Sequence, residues 1–190
     1  ITFYDELNEK IFLIRDRLGQ KPLFYSLSDE SLTFGSNLLS VSELSGECEL
    51  DHHSINEYLN IGVVQSPRTL IKNITKLKPG EIVTIDLKDY SCSSTVYWDI
   101  EKKLGNKKFS KKNFFDLLTS SIKYRLESDV PVAAFLSGGI DSTSIVKNLF
   151  EQGVEVNTFS AVYEDELYDE SEWIDLVAEK YSTKQQKTKL

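Results

Sequence analysis

The sequence predicts two folds in succession, an α+β part over residues 1–100 and an α/β part over residues 101–190. Three features lead there. Residues 1–100 run as short apolar segments broken by polar turns, the pattern of strands and hairpins. From Pro131 onward the pattern becomes strand, tight loop, helix, strand, helix. Strands separated by helices imply a parallel sheet with right-handed crossovers. Between the two, near residue 99, lysine takes over: Lys102, Lys103, Lys107, Lys108, Lys111 and Lys112 surround Gly105-Asn106. Such a run fits either an anion-binding patch or a solvated linker entering an exposed helix. The linker reading is preferred and places the boundary after residue 100.

In the first part, Phe3-Tyr4 and Ile11-Phe12-Leu13-Ile14 flank the polar stretch Asp5-Glu6-Leu7-Asn8-Glu9-Lys10, which spells a hairpin. A turn at Gly19 and Pro22 leads into a short apolar run ending at Tyr25, and Leu32-Thr33-Phe34-Gly35-Ser36 is a further strand. Asp51 caps a short helix that carries Ile55, Tyr58 and Leu59 and stops at Gly62. Pro79-Gly80 turns the chain into residues 81–87, whose alternation sets Ile82, Thr84 and Asp86 against Val83, Ile85 and Leu87. Lys88-Asp89-Tyr90 turns it again, and Thr95-Val96-Tyr97-Trp98 returns.

In the second part, Ser110 is the N-cap of a helix whose stripe is Phe114, Phe115, Leu117, Leu118, Ile122 and Leu126. Pro131 ends helical propagation and introduces an apolar strand to Leu136. The next helix is expected to bury Ile145, Val146, Leu149 and Phe150, with Gly153 as its stop. Residues 156–163 form a second strand. An acidic loop, residues 164–170, precedes a helix with Trp173, Ile174, Val177, Ala178 and Tyr181, and residues 187–190 begin a third strand.

The 190 residues suffice for one large domain or two small ones, and 40% hydrophobic with 11% aromatic content supplies a core. A formal net charge of −8 argues against a general nucleic-acid or membrane-surface binder. No apolar run reaches the roughly 18–20 residues that span a bilayer, and no basic-then-apolar leader opens the chain. Cys48 and Cys92 are isolated, which points to a reducing, cytoplasmic setting and structural thiols. With only these and His52-His53, a structural zinc site is not expected. Methionine is absent throughout, the chain opens on Ile1-Thr2-Phe3-Tyr4, and it closes on what reads as a strand being entered. Such ends fit either a piece of a longer protein or a processed natural terminus, and the first reading is preferred.

Chemistry concentrates in Val130-Pro131-Val132-Ala133-Ala134-Phe135-Leu136-Ser137-Gly138-Gly139-Ile140-Asp141-Ser142. A strand ends, small residues turn, and a helix opens on an acid and a hydroxyl. Small residues let backbone N–H groups approach an anion, and the helix N-terminus adds about half a positive charge. The loop lacks the lysine of the Gly-x-x-x-x-Gly-Lys-Ser/Thr pattern, so ordinary γ-phosphate transfer is not its chemistry. Asp141 repels a bare phosphate by up to several kcal/mol at close range in a partly dry site. A divalent cation between them removes the conflict and makes Asp141 a candidate Mg²⁺ ligand. The competing reading is a Gly-Gly turn with Asp141 as a helix cap.

Ser137-Gly138-Gly139-Ile140-Asp141-Ser142 resembles the pyrophosphate loop of ATP pyrophosphatases. Preceded by Ser128-Asp129-Val130-Pro131, it is similar to one branch of them, the glutamine-hydrolysing asparagine synthetases. Thr158-Phe159-Ser160, Tyr168-Asp169-Glu170-Ser171 and Val177-Ala178 follow the same pattern. So do Arg15-Asp16-Arg17-Leu18-Gly19-Gln20-Lys21-Pro22-Leu23-Phe24-Tyr25, Lys78-Pro79-Gly80-Glu81 and Tyr97-Trp98, which resemble the far half of a class II glutamine amidotransferase domain. The resemblance implies part of an N-terminal-nucleophile amidotransferase sandwich, then the first βαβαβ portion of a parallel-sheet ATP pyrophosphatase domain.

The resemblance maps ATP contacts onto Leu136, Ser137, Gly138, Gly139, Asp141 and Ser142, adenine onto the strand position Ala161, and Mg²⁺ onto Asp141. It implies ATP-dependent adenylation of aspartate, with glutamine as the ammonia donor and ammonia passing between domains. It places the glutaminase cysteine and the Asn-Gly-Glu-type glutamine-binding segment upstream of Ile1. No catalytic residue is therefore assigned, and Arg15 and Asp16 read as structural or as shaping the domain interface. Asp169 and Glu170 fit either a role near the nucleotide or a solvated acidic loop, and the acidic-loop reading is preferred. A relative amidating another carboxylate, a catalytically incomplete nucleotide-binding module and a tRNA-modifying pyrophosphate-loop enzyme remain as alternatives, and a homodimer stays open. The acidic charge counts against the tRNA-modifying enzyme.

Overall fold

A computed structural model describes residues 1–105, 108–165 and 167–190. Asn106 and Lys107 of the lysine run and Glu166 of the acidic loop lie outside the described residues. The chain divides into two compact units, Ile1–Asn106 and Lys107–Leu190.

The first unit opens with the expected hairpin. Strands β1 (Thr2–Asp5) and β2 (Lys10–Ile14) pair antiparallel in the register Thr2↔Leu13 and Asp5↔Lys10. The Asp5 carboxylate holds the turn by accepting from the backbone N–H and side-chain amide of Asn8 (3.1 and 2.8 Å). Strands β3 (Phe24–Leu27) and β4 (Leu32–Gly35) form a second hairpin. Helices α1 (Leu38–Ser45) and α2 (His52–Ile61) follow, then β5 (Thr75–Lys76), β6 (Glu81–Asp86), β7 (Cys92–Val96) and the short α3 (Ile100–Lys103). The strands make two antiparallel sheets, β1-β2-β6-β7 and β4-β3-β5.

Alternation in β6 works as read: Glu81, Val83 and Ile85 are buried. Val83 and Ile85 join Leu13, Leu23 and Leu77 in one cluster, with Tyr25, Leu27 and Leu32 packed against it, so both sheets feed the same core. Each fully buried Leu or Ile there contributes about 1.5–3 kcal/mol. Strand β7 starts earlier than expected. It ends at Val96 because the next two N–H groups, of Tyr97 and Trp98, turn to the Gly80 carbonyl (2.8 and 3.3 Å).

Asp51 caps α2 by accepting from the N–H groups of His53 and Ser54 (3.3 Å each), and Gly62 ends the helix at φ +74°. The face that packs differs from the apolar stripe, since Ser54 is fully buried while Tyr58 and Leu59 are exposed. Cys48 and Cys92 are both free and exposed, which corrects their reading as structural thiols.

The second unit runs α4 (Lys111–Tyr124), β8 (Ala133–Phe135), α5 (Ile140–Glu151), β9 (Asn157–Val162), α6 (Ser171–Lys180) and β10 (Lys184–Lys189). Ser110 caps α4 by accepting from Asn113 N–H (3.3 Å). The three strands pair parallel in the order β10-β9-β8. Ile122, Leu136, Val146, Leu149, Val156, Ile174, Val177 and Ala178 form the core. Thr158 and Ser160 of β9 are buried, whereas Phe135 and Phe159, which pair across β8 and β9, are exposed.

In α5 the buried set is Val146, Asn148 and Leu149. Ile145 and Phe150 are exposed, against expectation. Asn148 is buried instead, and its amide donates to Thr119 Oγ1 of α4 (2.7 Å) and accepts from Gln152 (2.6 Å). Among the described residues no helix is long and apolar enough to cross a membrane.

Candidate functional site

Residues 136–142 leave the carboxyl end of β8 and open α5, where ligands bind on open parallel sheets. The loop's shape comes from its smallest residues. Gly138 sits at φ +78°, a left-handed conformation that L side chains rarely adopt. A Cβ there would also lie 2.5 Å from Trp173 Cβ, 3.0 Å from the Trp173 carbonyl carbon and 3.1 Å from Ile174 N. Only glycine fits on both counts.

The two serines close the loop on itself. Ser137 N–H donates to Ser142 Oγ (3.3 Å), and the two hydroxyl oxygens are 3.2 Å apart. Ser142 Oγ donates to the Gly139 carbonyl (3.2 Å), while Gly139 N–H donates to Ser137 Oγ (3.4 Å). Gly139 is the N-cap of α5 and offers no side-chain cap. The first-turn N–H groups of Ile140, Asp141 and Ser142 thus lack an intrahelical acceptor and point out of the helix end. That is the electropositive concavity an anionic group needs.

The remaining expected residues fall as follows. Asp141 stands exposed in the first turn of α5. Leu136 is 2% exposed, and its N–H donates to the Phe159 carbonyl (2.9 Å), so its side chain belongs to the core and a ligand can meet only its backbone. Ala161 is exposed on the neighbouring strand, two residues beyond the Phe135–Phe159 pair. Among the described residues no three His, Cys, Asp or Glu side chains cluster as a metal site. Asp141 supplies one carboxylate, a donor set that suits Mg²⁺ where phosphate oxygens and water complete its shell.

Arg15 and Asp16 both bind the backbone of nearby loops. Arg15 is 7% exposed, and its guanidinium donates to the carbonyls of Lys21 (3.2 Å), Gly19 (2.8 Å) and Leu77 and to Ser66 Oγ (3.4 Å). Asp16 accepts from the N–H groups of Gln20 and Lys21 (2.8 and 3.2 Å), and the Gln20 bond leads in holding its carboxyl below the usual range. Asp169 and Glu170 line a cavity of about 470 Å³ with Tyr163, Leu167 and Tyr168. The Ser171 hydroxyl, above all, draws the Asp169 carboxyl below the usual carboxylate range. Contact between Gly138 and α6 is the part of this site the sequence does not announce. Its one signal is a glycine needed at a positive φ.

Residues 1–98 match the family described as glutamine amidotransferase domain, and residues 113–190 match the family described as asparagine synthase. The chain is similar to a candidate asparagine synthetase (glutamine-hydrolyzing) 2 of Methanocaldococcus jannaschii, 33% identical over 95% of this chain and 36% of that protein. It is likewise similar to asparagine synthetase (glutamine-hydrolyzing) 3 of Bacillus subtilis strain 168, 30% identical over 95% of this chain and 32% of that protein. Asparagine synthetase (glutamine-hydrolyzing) 1 of the same strain is 32% identical over 82% of this chain and 25% of that protein. The chain thus spans about a third or less of the length of these relatives.

Proposed function

From the chain's membership of the family that joins a glutamine amidotransferase domain, matched over residues 1–98, to an asparagine synthase segment, matched over residues 113–190, we propose that it is part of an ATP-dependent, glutamine-hydrolysing asparagine synthetase. Residues 1–100 are then the far part of an N-terminal-nucleophile amidotransferase sandwich, and residues 101–190 the opening βαβαβ of an ATP pyrophosphatase domain. The observation that carries this reading is the loop at residues 137–142, with Gly138 at φ +78° and α5 opening uncapped behind it.

A carboxylate does not condense with ammonia unaided in water. Attack of the aspartate carboxylate on the α-phosphorus of ATP forms an acyl-adenylate and releases pyrophosphate. Ammonia from glutamine then displaces AMP and leaves the amide. In this reading the backbone of Leu136 and the groups of Ser137, Gly138, Gly139 and Ser142 hold the phosphates, and Ala161 borders the adenine. The first-turn N–H groups of α5 face the charge that grows on the leaving pyrophosphate. Asp141 would hold Mg²⁺, which when bound neutralises phosphate charge.

The whole protein should convert aspartate, glutamine and ATP to asparagine, glutamate, AMP and pyrophosphate. Release of AMP and pyrophosphate without asparagine would move the assignment to another carboxylate. Asp141→Asn should lower Mg²⁺-dependent pyrophosphate release by about 10²-fold. Unchanged release would remove the metal assignment.

A further inference from the structure

We infer that Asp169 is a positioning residue for the pyrophosphate loop, acting through the first turn of α6 and not on the nucleotide. The inference rests on reading residues 137–142 as the ATP site. It starts from the contact at Gly138, which leaves no room for a methyl group against Trp173 Cβ, the Trp173 carbonyl carbon and Ile174 N. Two of those three atoms are backbone. The loop therefore lies on the main chain of α6, and the position of that first turn sets where the loop can stand.

The first turn has an unusual anchor. Glu170 is the N-cap of α6, yet its side chain makes no capping bond. Its carbonyl accepts from Ile174 N–H (3.0 Å), the first helical bond of the turn. Capping comes from one residue upstream: Asp169 Oδ1 accepts from Ser171 N–H (3.2 Å) and from Ser171 Oγ (2.6 Å). An acceptor at a helix start satisfies donors the helix leaves unpaired. Further along, Ile174 is 1% exposed in the core, and Asp175 pairs with Lys187 of β10 (2.5 Å). Asp169 therefore fixes the near end of the turn and the core fixes the far end. Trp173 lies between them, against Gly138. The acidic residue serves as a hydrogen-bond acceptor for its own chain, which is a different role from binding a cation or a substrate.

Acceptor and charge separate by substitution. Asp169→Asn keeps an oxygen for Ser171 and loses the charge, whereas Asp169→Ala loses both. In the whole protein, aspartate-dependent exchange of pyrophosphate into ATP reads the site. Asp169→Ala should lower kcat/KM for ATP about five- to tenfold, and Asp169→Asn should restore it to within about twofold of the parent. An Asn variant as impaired as the Ala variant would show that charge matters and overturn the proposal, as would an unimpaired Ala variant. Should the Ala variant fail to fold, Ser171→Ala carries the test with an expected loss of about two- to fivefold, and no loss there also overturns it. Gly138→Ala and Asp141→Asn in the same assay keep the two readings apart. If both leave exchange unchanged, the ATP-site reading itself fails.

Discussion

Arg15 shows at the scale of one residue how a motif can be visible while its purpose is not. Its guanidinium gathers carbonyls from Gly19, Lys21 and Leu77 together with the Ser66 hydroxyl, partners that lie as far as 62 residues away in the chain. Burial lowers its pKa and the neighbouring Asp16 raises it. Tyr97 adds to the knot by donating its hydroxyl to the Arg15 carbonyl (2.7 Å). Arg15→Met should destabilise the first unit by about 2–4 kcal/mol in urea unfolding, because buried carbonyls lose their donors. Arg15→Lys should recover little of that, since one ammonium cannot reproduce a planar fork. A recovery to within about 0.5 kcal/mol would show that charge and not geometry holds the knot. The sequence displays Arg15-Asp16 plainly. It cannot display which distant loops converge on them, because those pairings exist only once the sheets are stacked.

Elements were legible in proportion to how locally they are determined. The β1–β2 hairpin, the alternation of β6, the caps Asp51 and Ser110 and the loop before α5 are all written in neighbouring residues, and each stands where expected. Helix α1 was not anticipated, although Asn37 caps it by accepting from Ser40 N–H (3.1 Å) and Gly46 ends it at φ +77°. Its eight residues include three serines, and tertiary packing of Val41 against Ile71 and Ile74 outweighs their weak helical preference. The two-residue β5 and the short α3 carry too little periodicity to read. Helix α5 shows a different limit. An apolar period gives the direction of the buried face but not its width, which depends on how many neighbours surround the helix. Leu149→Ala should therefore cost about 2–5 kcal/mol, while Ile145→Ala, at 40% exposed, should cost about 1 kcal/mol or less. Equal losses in thermal or urea unfolding would show the arc to be wider than the structure has it.

For the molecule as a whole, stability is bounded at both ends of the pH scale. Tyr25 packs against the first core, and its phenol is pushed up to about 12 by burial first and by Cys92 second. The fold favours the neutral phenol. The stability it lends is whole below the ordinary value of 10.0 and drains away as pH rises from there towards about 12. Tyr25→Phe should flatten the fall in unfolding midpoint between pH about 10 and about 12, and an unaltered slope would assign the loss elsewhere. At the acid end the signs reverse. Asp16, Asp51 and Asp169 hold their protons less tightly than free carboxylates, so their support is present above the ordinary value of 3.8 and fails as pH drops below it. Separate hydrophobic clusters, those around Leu13 and Val41 in the first unit and that around Leu136 and Val146 in the second, give each unit its own interior.

The missing methyl of Gly138 has a mechanical consequence. With Trp173 Cβ 2.5 Å and the Trp173 carbonyl carbon 3.0 Å from where a Cβ would sit, the loop packs directly on the first turn of α6. In the proposed reading, a phosphate seated on the loop would rest, through Gly138, on a helix whose far side is rooted in the core at Ile174.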